Sequence, residues 1–153
     1  LSLLQRGLAA FKQKGLDRYE ISAFSLPGRA SRHNVGYWTS RPFLGFGPSA
    51  FSYWGGSRFR NVAHLGRYVK ALKEGREAVD FSETLSEEGR LRELLAVRLR
   101  LREGAQLPAL LPPSLVATLE RLKREGYLEE REGRICLSER GILFYDFVAS
   151  EVV

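Results

Sequence analysis

The chain has 153 residues, 44% hydrophobic, 27% charged and 11% aromatic, enough for one domain and a small second one; this composition excludes a disordered, collagen-like or coiled-coil polypeptide. The net charge of +6 conceals an asymmetry: residues 1–76 hold 13 Lys/Arg against 3 Asp/Glu, whereas residues 77–153 hold 11 against 15. No apolar run approaches the roughly 20 residues that span a bilayer, and the single cysteine, Cys136, excludes an internal disulfide, a cysteine-built zinc site and a cysteine-ligated iron–sulfur cluster.

Leu3, Leu4, Leu8 and Phe11 recur at helical spacing before Gly15, predicting a helix over 2–14; Tyr19 to Phe24 alternates large apolar and polar residues as a strand does. A helix leading straight into a strand is the closing step of an αβ unit. Ser25 to Asn61 shows no clear period and is punctuated by Pro27-Gly28, Gly36, Pro42, Gly45, Gly47, Pro48 and Gly55-Gly56, with one short buried strand expected within Phe43–Ser52. A long aromatic-rich loop of this kind is usually functional. Asn61 is the expected cap of a helix running to about Glu74, and 76–85 reads as a polar linker. Ser86 caps a further helix to about Arg102, buried through Leu91, Leu94, Leu95, Leu99 and Leu101. Leu115, Leu119 and Leu122 set the inner face of a helix over 114–125, ended by Gly126. Tyr127–Glu130 and Arg134–Leu137 flank Arg131-Glu132-Gly133 as a hairpin, and a last helix carries Ile142, Phe144, Tyr145, Phe147 and Val148. The order helix, helix, hairpin, helix is winged-helix-like. Without methionine and opening on Leu1 in a helical pattern, the chain reads as a piece of a longer protein, and without a signal-peptide pattern its expected compartment is the cytoplasm.

The basic, aromatic first half favours an anionic and planar partner: nucleic acid, a phosphate-bearing cofactor or a carboxylated macrocycle. Within it, Arg32-His33-Asn34-Val35-Gly36-Tyr37-Trp38 offers an imidazole that can ligate a metal or heme iron, aromatic rings that can pack on a flat macrocycle, and Arg29, Arg32 and Arg41 to pair with its carboxylates. The alternative is a surface-loop histidine whose aromatic neighbours anchor the loop. His64 reads as a first-turn residue. Gly45-Phe46-Gly47-Pro48 lets backbone approach a ligand closely or is merely a tight turn; it is no phosphate cradle, because Pro48 removes an amide and no Walker lysine follows. No nucleophile elbow or triad is discernible. Glu87-Glu88 and Glu129-Glu130 read as solvated charge, and so does the row Arg90, Arg92, Arg98, Arg100, Arg102.

Residues 19–38 resemble a known family. Tyr19, Glu20, Ser22, Phe24, Pro27 and Gly28 match a Y-E-x-S-x-[FY]-x-x-P-G segment, and His33, Asn34, Tyr37 and Trp38 match H-N-x-x-Y-W. Both are features of the radical S-adenosylmethionine proteins of the oxygen-independent coproporphyrinogen III oxidase-like family, in particular its heme chaperone branch, HemW. Leu44–Ser52 resembles the family's G-x-G-x-x-A-x-S block, Leu94–Gly104 its L-R-L-x-x-G helix end, and Gly126–Phe144 its closing element. The C-x-x-x-C-x-x-C run of the catalytic half has no counterpart here, so the resemblance covers a C-terminal portion.

The resemblance implies an α+β fold: the end of a partial (β/α) radical-SAM barrel over 1–62, a connecting helix and linker over 63–85, and a mainly helical, winged-helix-like HemN-type C-terminal domain over 86–153. It implies a heme-binding segment of Arg29, Arg32, His33, Asn34, Tyr37 and Trp38, with His33 as axial ligand to the heme iron. Phe24, Leu44, Gly45 and Gly47 would lie near the adenine edge of S-adenosylmethionine. Heme is the implied cofactor of the chain; S-adenosylmethionine and a [4Fe–4S] cluster belong to the full-length parent. The implied partners are heme or porphyrin, the missing N-terminal half and a heme-acceptor protein. No nucleic acid and no transmembrane segment are expected, and peripheral membrane contact stays open. Three functions compete: heme delivery, the oxidase reaction itself, in which this region would close over the porphyrinogen, and a winged-helix nucleic-acid binder built from 86–149, which the acidic second half opposes.

Overall fold

The computed structural model describes residues 2–153; Leu1, on which the chain opens, lies outside them. In chain order the elements are α1 (Ser2–Gln13), β1 (Asp17–Arg18), β2 (Phe24–Ser25), α2 (Arg32–Trp38), β3 (Phe51–Trp54), β4 (Ser57–Asn61), α3 (Leu65–Lys73), β5 (Val79–Thr84), α4 (Glu87–Arg98), α5 (Pro113–Arg124), β6 (Leu128–Arg131), β7 (Arg134–Leu137), α6 (Glu139–Leu143) and α7 (Tyr145–Val152). Every strand pairing is antiparallel, and no closed barrel is present among the described residues. The chain forms two compact units, one of residues 1–40 with 91–153 and one of Arg41–Arg90.

Much of the core of the first unit is made by residues whose spacing predicted it, although Phe144 and Phe147 of the expected last helix are exposed. Leu115, Leu119 and Leu122 of α5 lie in one cluster with Leu95 of α4, Leu99 just beyond its end, Leu128, Ile135 and Leu137 of the β6–β7 hairpin, and Ile142, Val148 and Val152 beyond it. Burying a leucine side chain of this kind contributes roughly 1.5–3 kcal/mol, so this cluster holds the unit together. The hairpin turns through Glu132 and Gly133, both at positive φ (52° and 71°), as a two-residue turn matched to strand twist requires. The expected last helix is two helices, broken at Phe144 (φ −118°, ψ 31°).

Residues 2–40 belong to the same unit as this core. Gly15 (φ 72°) ends α1 in a left-handed cap, the Leu16 amide donating to the Phe11 carbonyl at 3.0 Å. The single strand expected over Tyr19–Phe24 is instead a turn between β1 and β2, because the Glu20 carboxylate accepts from the Ser22 amide (3.0 Å) and hydroxyl (2.9 Å) and bends the chain there. The backbone of this turn docks onto the end of the α4 segment: Ile21 donates to the Arg100 carbonyl (3.1 Å), and Arg102 donates to the Tyr19 carbonyl (3.0 Å).

In the second unit β3, β4 and β5 form one antiparallel sheet, with Gly55 and Gly56 at positive φ in the β3–β4 turn. The buried strand expected within Phe43–Ser52 is only a bridge at Phe43; the true strand begins at Phe51, whose side chain is exposed. The expected polar linker over 76–85 holds β5, whose pairing partners are all on β4. Asn61 ends β4 rather than capping α3. The cap is His64, whose Nδ1 accepts from the Arg67 amide at 3.3 Å.

Candidate functional site

The stretch without period in the sequence contains a helix too short to show one. Ser31 caps α2 by accepting from the Asn34 amide (3.3 Å), and Thr39 closes it, its hydroxyl donating to the Val35 carbonyl at 2.8 Å. At about 100° per residue, the H-N-x-x-Y-W segment resolves into two i,i+4 pairs on different faces. His33 and Tyr37 share the outer face: both are exposed, their rings edge to face with centroids 4.8 Å apart. Asn34 and Trp38 share the inner face. Asn34 Nδ2 donates to Tyr19 Oη at 3.3 Å, and the half-buried Trp38 ring carries the Arg100 guanidinium 4.2 Å from its centroid. One face of Trp38 is thus covered from inside the fold, whereas Tyr37 is partly exposed to solvent. Arg29 and Arg32 are exposed, and among the described residues no acidic side chain pairs with either. The imidazole of His33 therefore stands in water beside one aromatic ring, with two uncompensated guanidinium groups within four residues along the chain. That donor set fits a flat, carboxylate-bearing metallocycle.

Beneath α2 lies a set of side chains that the sequence pattern does not bring together. Glu20 is only 2% exposed and faces Arg100, Oε2 to Nη2 at 3.5 Å. Arg100 stacks on Tyr145 as well as on Trp38 (4.9 Å to the Tyr145 centroid), and Tyr145 Oη donates to the Ala96 carbonyl at 3.0 Å. Burial pushes the Tyr145 hydroxyl above its ordinary pKa, with Arg100 pulling the other way. The arginine row is accordingly only in part a solvated face: Arg90 is exposed, but Arg98, Arg100 and Arg102 are half-buried, Arg102 pairs with Glu139 at 2.9 Å, and Arg92 donates to Val152 O and Ser114 Oγ. The alternation of charged Arg98, Arg100 and Arg102 with buried Leu99 and Leu101 was the available signal that this stretch leaves the helix.

Phe24 belongs to the first unit, stacked on Phe11 with centroids 4.5 Å apart. Leu44, Gly45 and Gly47 belong to the second, so the residues implied for the adenine edge divide between the two. Gly45 and Gly47 have structural reasons of their own. A Cβ on Gly45 would strike the Phe51 carbonyl, and Gly47 sits at φ 100°. Their amides donate to Ser52 Oγ (3.0 Å) and Tyr68 Oη (3.2 Å), and both carbonyls accept from Asn61. With its backbone polar groups engaged, this turn offers a ligand mainly the exposed side chains of Leu44 and Phe46.

Cys136 is buried in the hairpin, and one thiol does not fit an iron–sulfur cluster that needs several thiolates. Among the described residues no group of three His, Cys, Asp or Glu could hold a metal ion, and no helix is long and apolar enough to cross a membrane. The cations on α5 that a recognition helix would use are largely compensated: Lys123 pairs with Glu120 (2.5 Å), and Arg121 with Glu125 and Glu151.

Comparison with known proteins matches residues 85–144 to the HemN C-terminal domain family. A heme chaperone HemW of Mycobacterium tuberculosis is 33% identical over 140 residues, covering 92% of this chain and 36% of that protein. The heme chaperone HemW of Bacillus subtilis is 29% identical over 148 residues, covering 89% of this chain and 38% of its own. The chain thus spans little more than a third of the length of these relatives. Among solved structures, the coproporphyrinogen III oxidase HemN of Escherichia coli, described as a radical SAM enzyme, superposes with a TM-score of 0.75 over 97% of this chain and 39% of that one, at 18% identity. The chain thus carries the HemN C-terminal domain over residues 85–144, is similar along most of its length to heme chaperone HemW proteins, and is consistent with the C-terminal portion of a HemW-like protein, with a fold like that of HemN.

Proposed function

We propose that this chain is the heme-receiving part of a heme chaperone, which holds heme and passes it to an acceptor protein in the cytoplasm. The observation that carries the reading is the outer face of α2, where His33 stands exposed against Tyr37 with Arg29 and Arg32 free of acidic partners. In this reading His33 ligates the iron of the cargo, Tyr37 packs on the macrocycle, and the two arginines take its propionates. Asn34 and Trp38 contribute by holding the helix. The parent's remaining part, with the cluster and S-adenosylmethionine, would complete the barrel of which residues 1–62 form the end, with 63–85 connecting it to the HemN-type domain of 86–153. Phe24, Leu44, Gly45 and Gly47 would face its adenosyl group.

The sequence relatives named as chaperones favour delivery over the oxidase reaction, since the oxidase likeness is one of fold. Ferric heme titrated into this chain is expected to give a Soret shift, and His33→Ala to weaken binding about tenfold or more and alter the band, loss of a ligand bond being worth at least about 1.4 kcal/mol. Identical spectra and affinities for the two proteins overturn the assignment. Decarboxylation of coproporphyrinogen by the full-length protein would replace delivery with the oxidase reaction.

A further inference from the structure

Trp38 follows His33 by five positions, which at helical pitch places their side chains about 140° apart around α2. Whatever fixes the rotation of Trp38 about the helix axis therefore fixes the direction of His33. One residue of the HemN C-terminal domain packs on Trp38: Arg100 lies against both Trp38 (4.2 Å) and Tyr145 (4.9 Å), and the buried Glu20 carboxylate faces it at 3.5 Å. This arrangement is poor as a stability device. Glu20 Oε2, Arg100 Nε and Trp38 Nε1 are all buried without a hydrogen-bond partner, and each such orphan costs free energy that apolar side chains of the same shape would avoid. A stack of flat groups that leaves three polar atoms unsatisfied does, however, define an orientation, because a cation–aromatic contact is directional where aliphatic packing is not. Asn34, one turn before Trp38 on the same inner face, adds a second tether to Tyr19, whose neighbours Glu20 and Ile21 dock on 100–101.

We infer that Arg100 is a positioning residue: through Trp38 the HemN C-terminal domain sets the rotation of α2 and so presents His33 to the iron. The inference rests on the heme reading given above and assigns to the domain a role in that site. Arg100 and Trp38 do not touch the cargo.

The test uses this chain with ferric heme and two conservative variants, Arg100→Lys and Trp38→Phe, each keeping the charge or the ring. Both are expected to retain wild-type helicity by circular dichroism while heme affinity falls about three- to tenfold, the size of a lost cation–aromatic contact. The Soret band should lose its His33-dependent component, and free imidazole in solution should restore it. In a His33→Ala background the same two changes should have no further effect, since they act through that ligand. Wild-type spectra in both variants, or an equal loss of affinity with and without His33, overturn the positioning role. Loss of helicity in both makes the stack a folding element and overturns it too; if only one fails to fold, the other decides. A His33→Ala protein indistinguishable from wild type in its heme spectrum overturns the underlying heme reading instead.

Discussion

Tyr145 shows how one side chain answers to two demands. Its ring closes the stack on Arg100, while its hydroxyl, desolvated by burial, donates to Ala96 and resists ionisation. Because its pKa in the folded chain lies above the ordinary 10.0, the native state holds that proton more tightly than the unfolded chain does. Its contribution to stability is therefore complete below about pH 10 and is lost as the pH rises through the raised native value. Tyr145→Phe keeps the ring, gives up one hydrogen bond at a cost of about 1 kcal/mol at neutral pH, and should flatten the alkaline fall. Urea unfolding of both proteins between pH 7 and 11 reads this directly: curves that stay parallel across the range would show that the hydroxyl titrates as it does in water.

Hairpin and helix differ in how much of themselves they write into the sequence. The β6–β7 turn puts Glu132 at φ 52°, where a side chain that long gains nothing, followed by Gly133 at 71°. Asn-Gly is the pair preferred in such a turn, so Glu132→Asn is expected to raise stability by about 0.5 kcal/mol or slightly more, seen as a higher denaturation midpoint with unchanged slope. This hairpin and α5 were legible because turn chemistry and a full helical period are local. The strand β5 was not, since most of its residues are exposed and nothing but its partner β4 makes it a strand. Seven-residue α2 was hidden for a related reason. Among its residues only Gly36 is buried, so no apolar stripe marks its inner face, although the four-residue spacing of His33 with Tyr37 and of Asn34 with Trp38 was on view. The motif residues themselves were found, but their division into outward and inward pairs was not. Arg100 was missed because a charge next to glutamates on a helical wheel reads as solvated until the chain leaves the helix and brings it under Trp38.

The molecule as a whole joins its first 40 residues to its last 63 in one compact unit, with Arg41–Arg90 forming the other. A chain ended at Arg90 would keep α2 in its sequence but lack Arg100, Leu101 and Tyr145, the groups that face its inner side and the turn before it. Amide hydrogen exchange should then find residues 32–38 unprotected in the shortened protein and protected in the full one; equal protection would mean that α2 stands without the C-terminal domain. The same arrangement governs the order of events at the ribosome. His33 is synthesised well before Arg100, Leu101 and Tyr145, so the groups that pack beneath α2 and the turn before it reach them only after the intervening residues have been made, and a shorter nascent chain holds the α2 sequence without its supporting surface.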